Sequence, residues 1–125
     1  MRKEYRAVVR RKLDEEQRGF RMAAKHKQFG RGWLREVRQA LGIPVEELTR
    51  KLKIHRSVIF RCEKREEKQR ISLWALDQLA MAMDCELVYS IVPRGKTLVE
   101  MAEEREWDKR LRTARLEEEM DGVSK

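Results

Sequence analysis

The residues best suited to chemistry in this sequence lie between positions 56 and 64. Their spacing, at i, i+1, i+4, i+5 and i+8, places them on one face of a helix that turns by about 100° per residue. Guanidinium groups form paired hydrogen bonds with guanine, and a hydroxyl group serves base donors and base acceptors alike, so this face is suited to contacts with the edges of DNA bases. Its members are Arg56, Ser57, Phe60, Arg61 and Lys64.

A break in the helix is needed to present that face. The apolar stripe upstream has helical spacing, but continuing it as one helix would bury Arg56 and expose Ile54. A turn at 53–55 removes the conflict, because Ile54 can then point inward from a short connection. The spacing therefore predicts one helix over 45–52 and a second over about 56–65. The stripe consists of Val45, Leu48 and Leu52.

Two short helices joined by a tight turn, with a basic face on the second, make a helix-turn-helix. We expect the second helix to lie in the major groove of double-stranded DNA, with Ile59 and Cys62 packed against the first helix. Phe60 either covers a thymine methyl group or serves as an aromatic contact between parts of the protein. The candidate base contacts are Arg56, Ser57, Phe60 and Arg61, and the candidate phosphate contacts are Lys51, His55, Lys64, Arg65 and Lys68.

The charge of the chain is divided between a basic front and an acidic back. The 125 residues carry a formal net charge of +8, with 42% charged and 41% hydrophobic residues. Residues 1–65 hold 20 Lys and Arg against 8 Asp and Glu, whereas residues 66–125 hold 10 against 14. Basic residues that only solvate helices would be spread evenly, so this division predicts a face that meets a polyanion.

The sequence offers little for catalysis or for a bound metal. It lacks the GxSxG, P-loop and HExxH patterns and a carboxylate pair in an apolar setting, so we expect neither an enzyme nor a cofactor. His26 and His55 have no partners at metal-ligand spacing, and we expect no metal. Cys62 and Cys85, without a signal peptide, predict free thiols in a reducing cytoplasm. Apolar runs fall far short of the roughly 18 residues that a membrane span needs.

The expected fold is mostly α. An N-terminal helical arm, residues 1–30, precedes a helix-turn-helix domain, residues 31–84, and the glycine-rich linker FGRGW at 29–33 separates them. Apolar residues recur near helical spacing along the arm, with Gly19 as a weak point. The arm either packs as an amphipathic helix or stays solvated and partly disordered.

Further local signals mark the helix ends within the domain. Apolar residues from Trp33 predict a first helix closed by Gly42 in the left-handed conformation, and Pro44 fits the start of the next helix. Ser72 fits the cap of a fourth helix. The charged segment EKREEKQR, residues 63–70, is predicted to be a loop because it has no apolar anchor.

The period of the sequence changes after the fourth helix. CELVYSIVP, residues 85–93, alternates and ends at a proline, which predicts one β-strand. TLVE at 97–100 fits a capping box that opens a C-terminal helix. Strand and helix form an extension over 85–107, and 108–125 is predicted to be a frayed helix or a charged tail. The strand face expected to pack on the fourth helix is Leu87, Tyr89 and Ile91.

The segment LGIPVEELTRKLKIHRSVIFRCEK, residues 41–64, resembles the helix-turn-helix of the Cro and phage-repressor (XRE) family. The stretches GWLREVRQALG, DCELVYSIVPR and LVEMAEERE narrow the resemblance to the mobile mystery protein A family over roughly residues 10–107. The resemblance implies a DNA-binding transcriptional regulator, most simply a repressor. It also implies an ion pair between the first helix and the end of the third, at Arg38 and Glu63.

Three positions depart from the pattern of the wider family. Val45 stands where a polar residue usually binds phosphate, so a phosphate contact there would use its backbone N–H at the helix N-terminus. Thr49 replaces the usual alanine at the helix contact. Lys53 replaces the usual glycine of the turn, at a cost of about 1 kcal/mol in the left-handed conformation. These departures leave the fold intact but prevent the transfer of any operator sequence.

We expect the protein to bind DNA as a homodimer, because one helix in the groove reads only a few base pairs. The predicted strand would join a second copy either edge to edge across a two-fold axis or beneath its C-terminal helix, and the N-terminal arm is the other candidate for the contact. The expected dimer residues are Val88, Ser90 and Val92.

A function of another class is implied by the resemblance. Members of the mobile mystery protein A family are typically encoded beside a Fic-domain protein, which implies an antitoxin-like protein that binds a Fic-type toxin. Helical patterns at 3–24 and 98–116 could clasp such a partner or pack on their own domain. Binding to RNA or single strands has less support, because no aromatic platform accompanies the basic residues.

Overall fold

The computed structural model describes residues 1–26 and 32–123, with the side chain of Val123 excepted, so residues 29–31 of the predicted linker lie outside the described residues. The described part is mostly helical, as predicted. The chain divides into two compact units, Lys27–Tyr89 and Met1–His26 with Ser90–Lys125. The helices are α1 Lys3–Glu16, α2 Arg18–Ala24, α3 Trp33–Ala40, α4 Val45–Leu52, α5 Arg56–Glu67, α6 Leu73–Ala82 and α7 Leu98–Val123.

The unit that spans residues 32–89 is built from α3 to α6 around one apolar core. Leu48 and Ile59 are its most deeply buried large side chains. Gly42 closes α3 in the left-handed region, with φ at 66°, as the sequence predicted. The remaining buried core residues are Leu34, Val45, Leu79, Ala82 and Met83.

The ends of α5 and α6 follow from hydrogen bonds close to them. Ser72 caps α6 as predicted, with its Oγ accepting from the backbone N–H of Ala75 at 3.1 Å. The loop predicted over 63–70 is wrong in its first half, because α5 continues to Glu67. Glu63 and Glu66, in the last two turns of α5, bind residues of α3. Polar contacts therefore hold this segment in place without apolar residues.

The strand predicted over 85–93 is wrong. No part of the chain that the structure describes forms a ladder with this segment, and alternation alone does not supply the second strand that a ladder requires. The carbonyl of Ile91 instead accepts a hydrogen bond from Gln17 Nε2 at 2.7 Å. Tyr89 and Ile91 are exposed, so the predicted packing of that face on α6 is also wrong for them.

The dimer contact predicted at Val88, Ser90 and Val92 rested on that strand and loses its structural basis. The Oγ of Ser90 accepts from the same Gln17 amide, at 3.0 Å, within the chain. Val88 is 69% exposed and Val92 half-buried. The dimer contact at these residues therefore stays a prediction that no longer rests on a strand.

The other unit contains α1, α2 and α7. The predicted arm is broken at Gln17, close to the weak point expected at Gly19. The predicted capping box is present at the start of α7, where the N–H of Glu100 donates to Thr97 Oγ1 at 3.2 Å. α7 then continues to Val123, so the segment after Trp107 is a helix and not an irregular tail.

A feature absent from the sequence analysis also fixes the start of α7. The Asp14 carboxylate accepts from the backbone N–H groups of Leu98 and Val99, at 2.7 and 3.1 Å. Two donors left over at a helix N-terminus are thereby satisfied by α1. Among the described helices, none combines the length and the apolar composition needed to cross a bilayer.

Candidate nucleic-acid interface

The connection between α4 and α5 is a turn of three residues. Lys53 ends α4 in the left-handed region, with φ 55° and ψ 46°, and Ile54 turns inward as predicted. His55 then lies in the extended region and caps α5. One left-handed residue is enough to redirect the chain, so α5 starts on a new axis immediately after α4.

His55 and Ser57 bind each other at the start of α5. The Nδ1 atom of His55 accepts from the backbone N–H of Ser57 at 3.1 Å and lies 2.8 Å from Ser57 Oγ. A neutral ring that accepts at Nδ1 carries its proton on Nε2, so the exposed edge of His55 is a donor. The hydroxyl of Ser57 lies beside this contact and is exposed, so it can meet an outside donor or acceptor.

The outward face of α5 carries the residues that the sequence predicted as base contacts. The guanidinium carbon of Arg56 lies 5.5 Å from the centre of the Phe60 ring, a cation–π distance that orients both side chains. Phe60 is 41% exposed, so its ring is not buried within the described chain. The exposed members of this face are Arg56, Ser57, Phe60, Arg61 and Lys64.

The opposite face of α5 is fixed to the core. Ile59 is 1% exposed and packs with Leu48 of α4, and Cys62 is half-buried at the edge of the same cluster. Burial of an aliphatic side chain of this size contributes about 1.5–3 kcal/mol. α5 is therefore held by one side while its basic side stays free of the core.

The acidic side chains of α5 are turned toward α3. Glu63 forms an ion pair with Arg38, with 2.6 Å between Oε1 and Nε. Glu66 accepts from the backbone N–H of Leu34 at 2.8 Å, which caps α3 from a different helix. Glu67 lies 3.8 Å from Arg35. These contacts hold Glu63 and Glu66 on α3, whereas Glu67 is exposed and lies one turn after Lys64.

Arg38 and Glu63, paired by resemblance in the sequence analysis, are the most buried of these contacts. Their side chains are 11% and 7% exposed. A second bond of 3.3 Å joins Nη2 to Oε2, which makes the contact bidentate. Two bonds in one plane fix the rotation of α5 about its axis relative to α3.

The predicted phosphate contacts differ in how far they are exposed, and His55 is exposed at the start of α5. Lys64, Arg65 and Lys68 are exposed on α5 and at its end. The side chain of Val45 is buried, so only its backbone N–H, at the start of α4, could bind a phosphate. The ammonium of Lys51 donates to the carbonyl of Ala82 at 2.9 Å.

Sequence reasoning missed the structural roles of Lys51 and Glu66. Each binds a backbone group more than 30 positions away, Lys51 at the end of α6 and Glu66 at the start of α3. No local spacing signals such a contact, because the partner is set by the packing of helices. Thr49, a departure from the family pattern, donates its hydroxyl to the carbonyl of Glu46 at 2.7 Å and so leaves no unpaired group at the helix contact.

Together these contacts present a row of donors on a helix whose position and rotation are fixed. Such a row can form hydrogen bonds with base edges and phosphates, and no bond-making chemistry follows from it. No protein-family model, curated protein or solved structure matches this chain.

Proposed function

We propose that this chain is a sequence-specific double-stranded DNA-binding protein that regulates transcription, most simply as a repressor that acts on its own genes. The unit from residue 32 to 89 acts as a helix-turn-helix of the XRE type, and α5 lies in the major groove. The observation that carries the proposal is that Ile59 holds α5 in the core and Glu63 holds it on α3, while the outward residues Arg56, Arg61 and Lys64 stay exposed.

The residues on the exposed face have distinct roles in this proposal. Arg61 forms a paired hydrogen bond with guanine O6 and N7. Arg56 forms the same kind of bond, either while it stays stacked on the Phe60 ring or after it moves off that ring. Ser57 forms a hydrogen bond with a base donor or a base acceptor, since its hydroxyl is exposed beside Arg56. Phe60 lies beside a thymine methyl group.

Phosphate contacts fix the register of α5 in the groove. The Nε2 proton of His55 and the backbone N–H of Val45 both lie at helix N-termini, where the helix dipole favours an anion. Lys64, Arg65 and Lys68 add charge along and beyond α5. These contacts supply affinity that does not depend on sequence, and the base contacts supply preference.

A titration of a fluorescent mixed-sequence duplex tests this proposal. At low salt we expect binding at micromolar protein or tighter, since non-specific complexes have a Kd of roughly 10⁻⁴–10⁻⁶ M even at physiological salt. Replacing Arg56 and Arg61 with alanine should weaken binding. Replacing Arg18 and Arg94, which are exposed in the other unit and lie outside its C-terminal helix, removes the same charge and should change the affinity less. No binding to duplex DNA, or equal losses in both variants, would contradict the proposal.

A further inference from the structure

The second half of α7 extends beyond the helix that packs against its first half. α7 has 26 residues and α1 has 14, which correspond to roughly 39 and 21 Å of helix. The two run in opposite directions, because Asp14 caps α7 at Leu98 while Lys3 lines a groove with Lys109. The N-terminal end of α1 therefore lies near position 109 of α7, and α1 covers nothing beyond it. Every described residue of Trp107–Gly122 is exposed.

The face of α7 that packs on α1 continues past the end of α1. Leu98 and Ala102 are half-buried on this face. At about 100° per residue, Leu116 and Met120 lie on its continuation. Their side chains are 60% and 71% exposed, so the described chain leaves this apolar pair uncovered.

Both flanks of that apolar pair have the same charge order. Arg112 precedes Glu119 by seven positions on one flank, and Arg110 precedes Glu117 by seven positions on the other. When two helices pair in an antiparallel manner, each flank faces the same flank of the second helix, running in the opposite direction. Basic residues then meet acidic ones on both sides. A parallel pair would instead bring the two copies of Lys109, which lies on the line of Leu116, to the same level of the seam and so place like charges together.

We propose that two copies of this chain associate through the second half of α7, as an antiparallel pair of helices with its two-fold axis near position 115. Leu116 and Met120 form the apolar seam of the contact. Each Arg112 lies near Glu119 of the partner subunit, and each Arg110 lies near Glu117 of the partner subunit. The same surface serves both copies, so association stops at two.

The size of the contact sets its strength. The paired segments are only about 20 Å long, so the buried area falls at the low end of protein interfaces and association is weak. The charged flanks are exposed to solvent, and their attraction falls as salt shortens the Debye length from about 30 Å at 0.01 M to about 10 Å at 0.1 M. The dimer is therefore expected to form at micromolar concentrations and to weaken with salt.

Charge reversal on the full-length chain tests the proposal without DNA, so the outcome does not depend on the proposed function. Glu117→Lys with Glu119→Lys makes both flanks basic, and Arg110→Glu with Arg112→Glu makes them acidic. Sedimentation should show each variant as a monomer, with the dimer Kd raised by about tenfold or more as attractive pairs become repulsive. An equimolar mixture of the two variants should sediment as a heterodimer.

Two controls separate the helix pairing from a general effect of charge. Glu118→Lys carries the same charge change as Glu119→Lys, but position 118 lies opposite the apolar seam, so it should leave the Kd within about twofold of the parent. The chain with all four reversals should regain the parent Kd. Circular dichroism checks that α7 stays helical in each variant. A parent that stays monomeric at low salt, or a mixture of opposite variants that does not associate, would overturn the proposal.

Discussion

The guanidinium of Arg38 and the carboxylate of Glu63 form a bidentate pair between α3 and α5, with bonds of 2.6 and 3.3 Å. Both side chains are nearly buried. The pair fixes the helix that carries the exposed basic face, although neither residue is part of that face. Glu63 therefore positions α5, while other residues of the same helix form the exposed face proposed to contact DNA.

Glu63→Gln tests the weight of this pair in folding. Removal of one charge from a buried pair leaves the other uncompensated, so we expect the free energy of unfolding to fall by about 3–5 kcal/mol. Urea unfolding followed by circular dichroism measures the change. Glu67→Gln, whose partner Arg35 is more exposed at 3.8 Å, should cost only about 0–1 kcal/mol. Equal losses in the two variants would mean that burial does not set the strength of these contacts.

Local signals in the sequence predicted most of the helical fold. The bounds of α4, the turn at Lys53, the Ser72 cap and the Thr97 capping box each depend on residues that are close together in the sequence. The period of the apolar residues then decides which face is buried. These features could be predicted because neighbouring residues determine them.

Features that depend on distant partners could not be predicted in this way. Alternation over 85–93 resembles a strand, but a strand exists only where a second strand supplies hydrogen bonds, and the described chain supplies Gln17 instead. Asp14 and Glu66 cap helices that lie 84 and 32 positions away. The sequence predicted which residues of α5 are exposed for contact with bases. Of the carboxylates that orient α5 against α3, it predicted Glu63 and missed Glu66.

Lys53 gives a prediction of increased stability. A residue with a Cβ atom in the left-handed region costs about 1 kcal/mol relative to glycine, so Lys53→Gly should raise the free energy of unfolding by about that amount. Thermal unfolding should show a higher Tm. As a control, Arg61→Gly, at an exposed position in the middle of α5, should lower stability by about 0.5–1 kcal/mol, because glycine is unfavourable in the middle of a helix. A loss of stability in Lys53→Gly would argue against the left-handed turn.

Asp14 should stabilise α7 from a distance. Asp14→Asn keeps the shape of the side chain but replaces one accepting oxygen and removes the charge at the helix N-terminus, so we expect a loss of about 1 kcal/mol. Hydrogen exchange at the N–H groups of Leu98 and Val99 should become faster. Glu15→Gln, at an exposed neighbouring position, should leave both measurements unchanged.

Salt dependence should separate the phosphate contacts from the base contacts. Each phosphate contact contributes about 0.9 to the slope of log affinity against log salt. Alanine at Lys64 or Arg65 should reduce the slope by about one contact, equally for all duplex sequences. Lys68 should have a smaller effect, because it lies at the end of α5. An unchanged slope in Lys64→Ala and Arg65→Ala would remove both residues from the interface.

The most direct test of DNA recognition by α5 is the selection of bound duplexes from a random pool, carried out with the parent chain and with Arg61→Ala. The account predicts that the parent enriches one motif, and that a dimer enriches two inverted half-sites with centres about 34 Å, one DNA turn, apart. Arg61→Ala should enrich the same motif with one base position relaxed in each half-site, and should bind the parent motif about 1–3 kcal/mol more weakly. A pool that stays random with the parent, or an identical motif with Arg61→Ala, would contradict the claim that the exposed face of α5 reads DNA sequence.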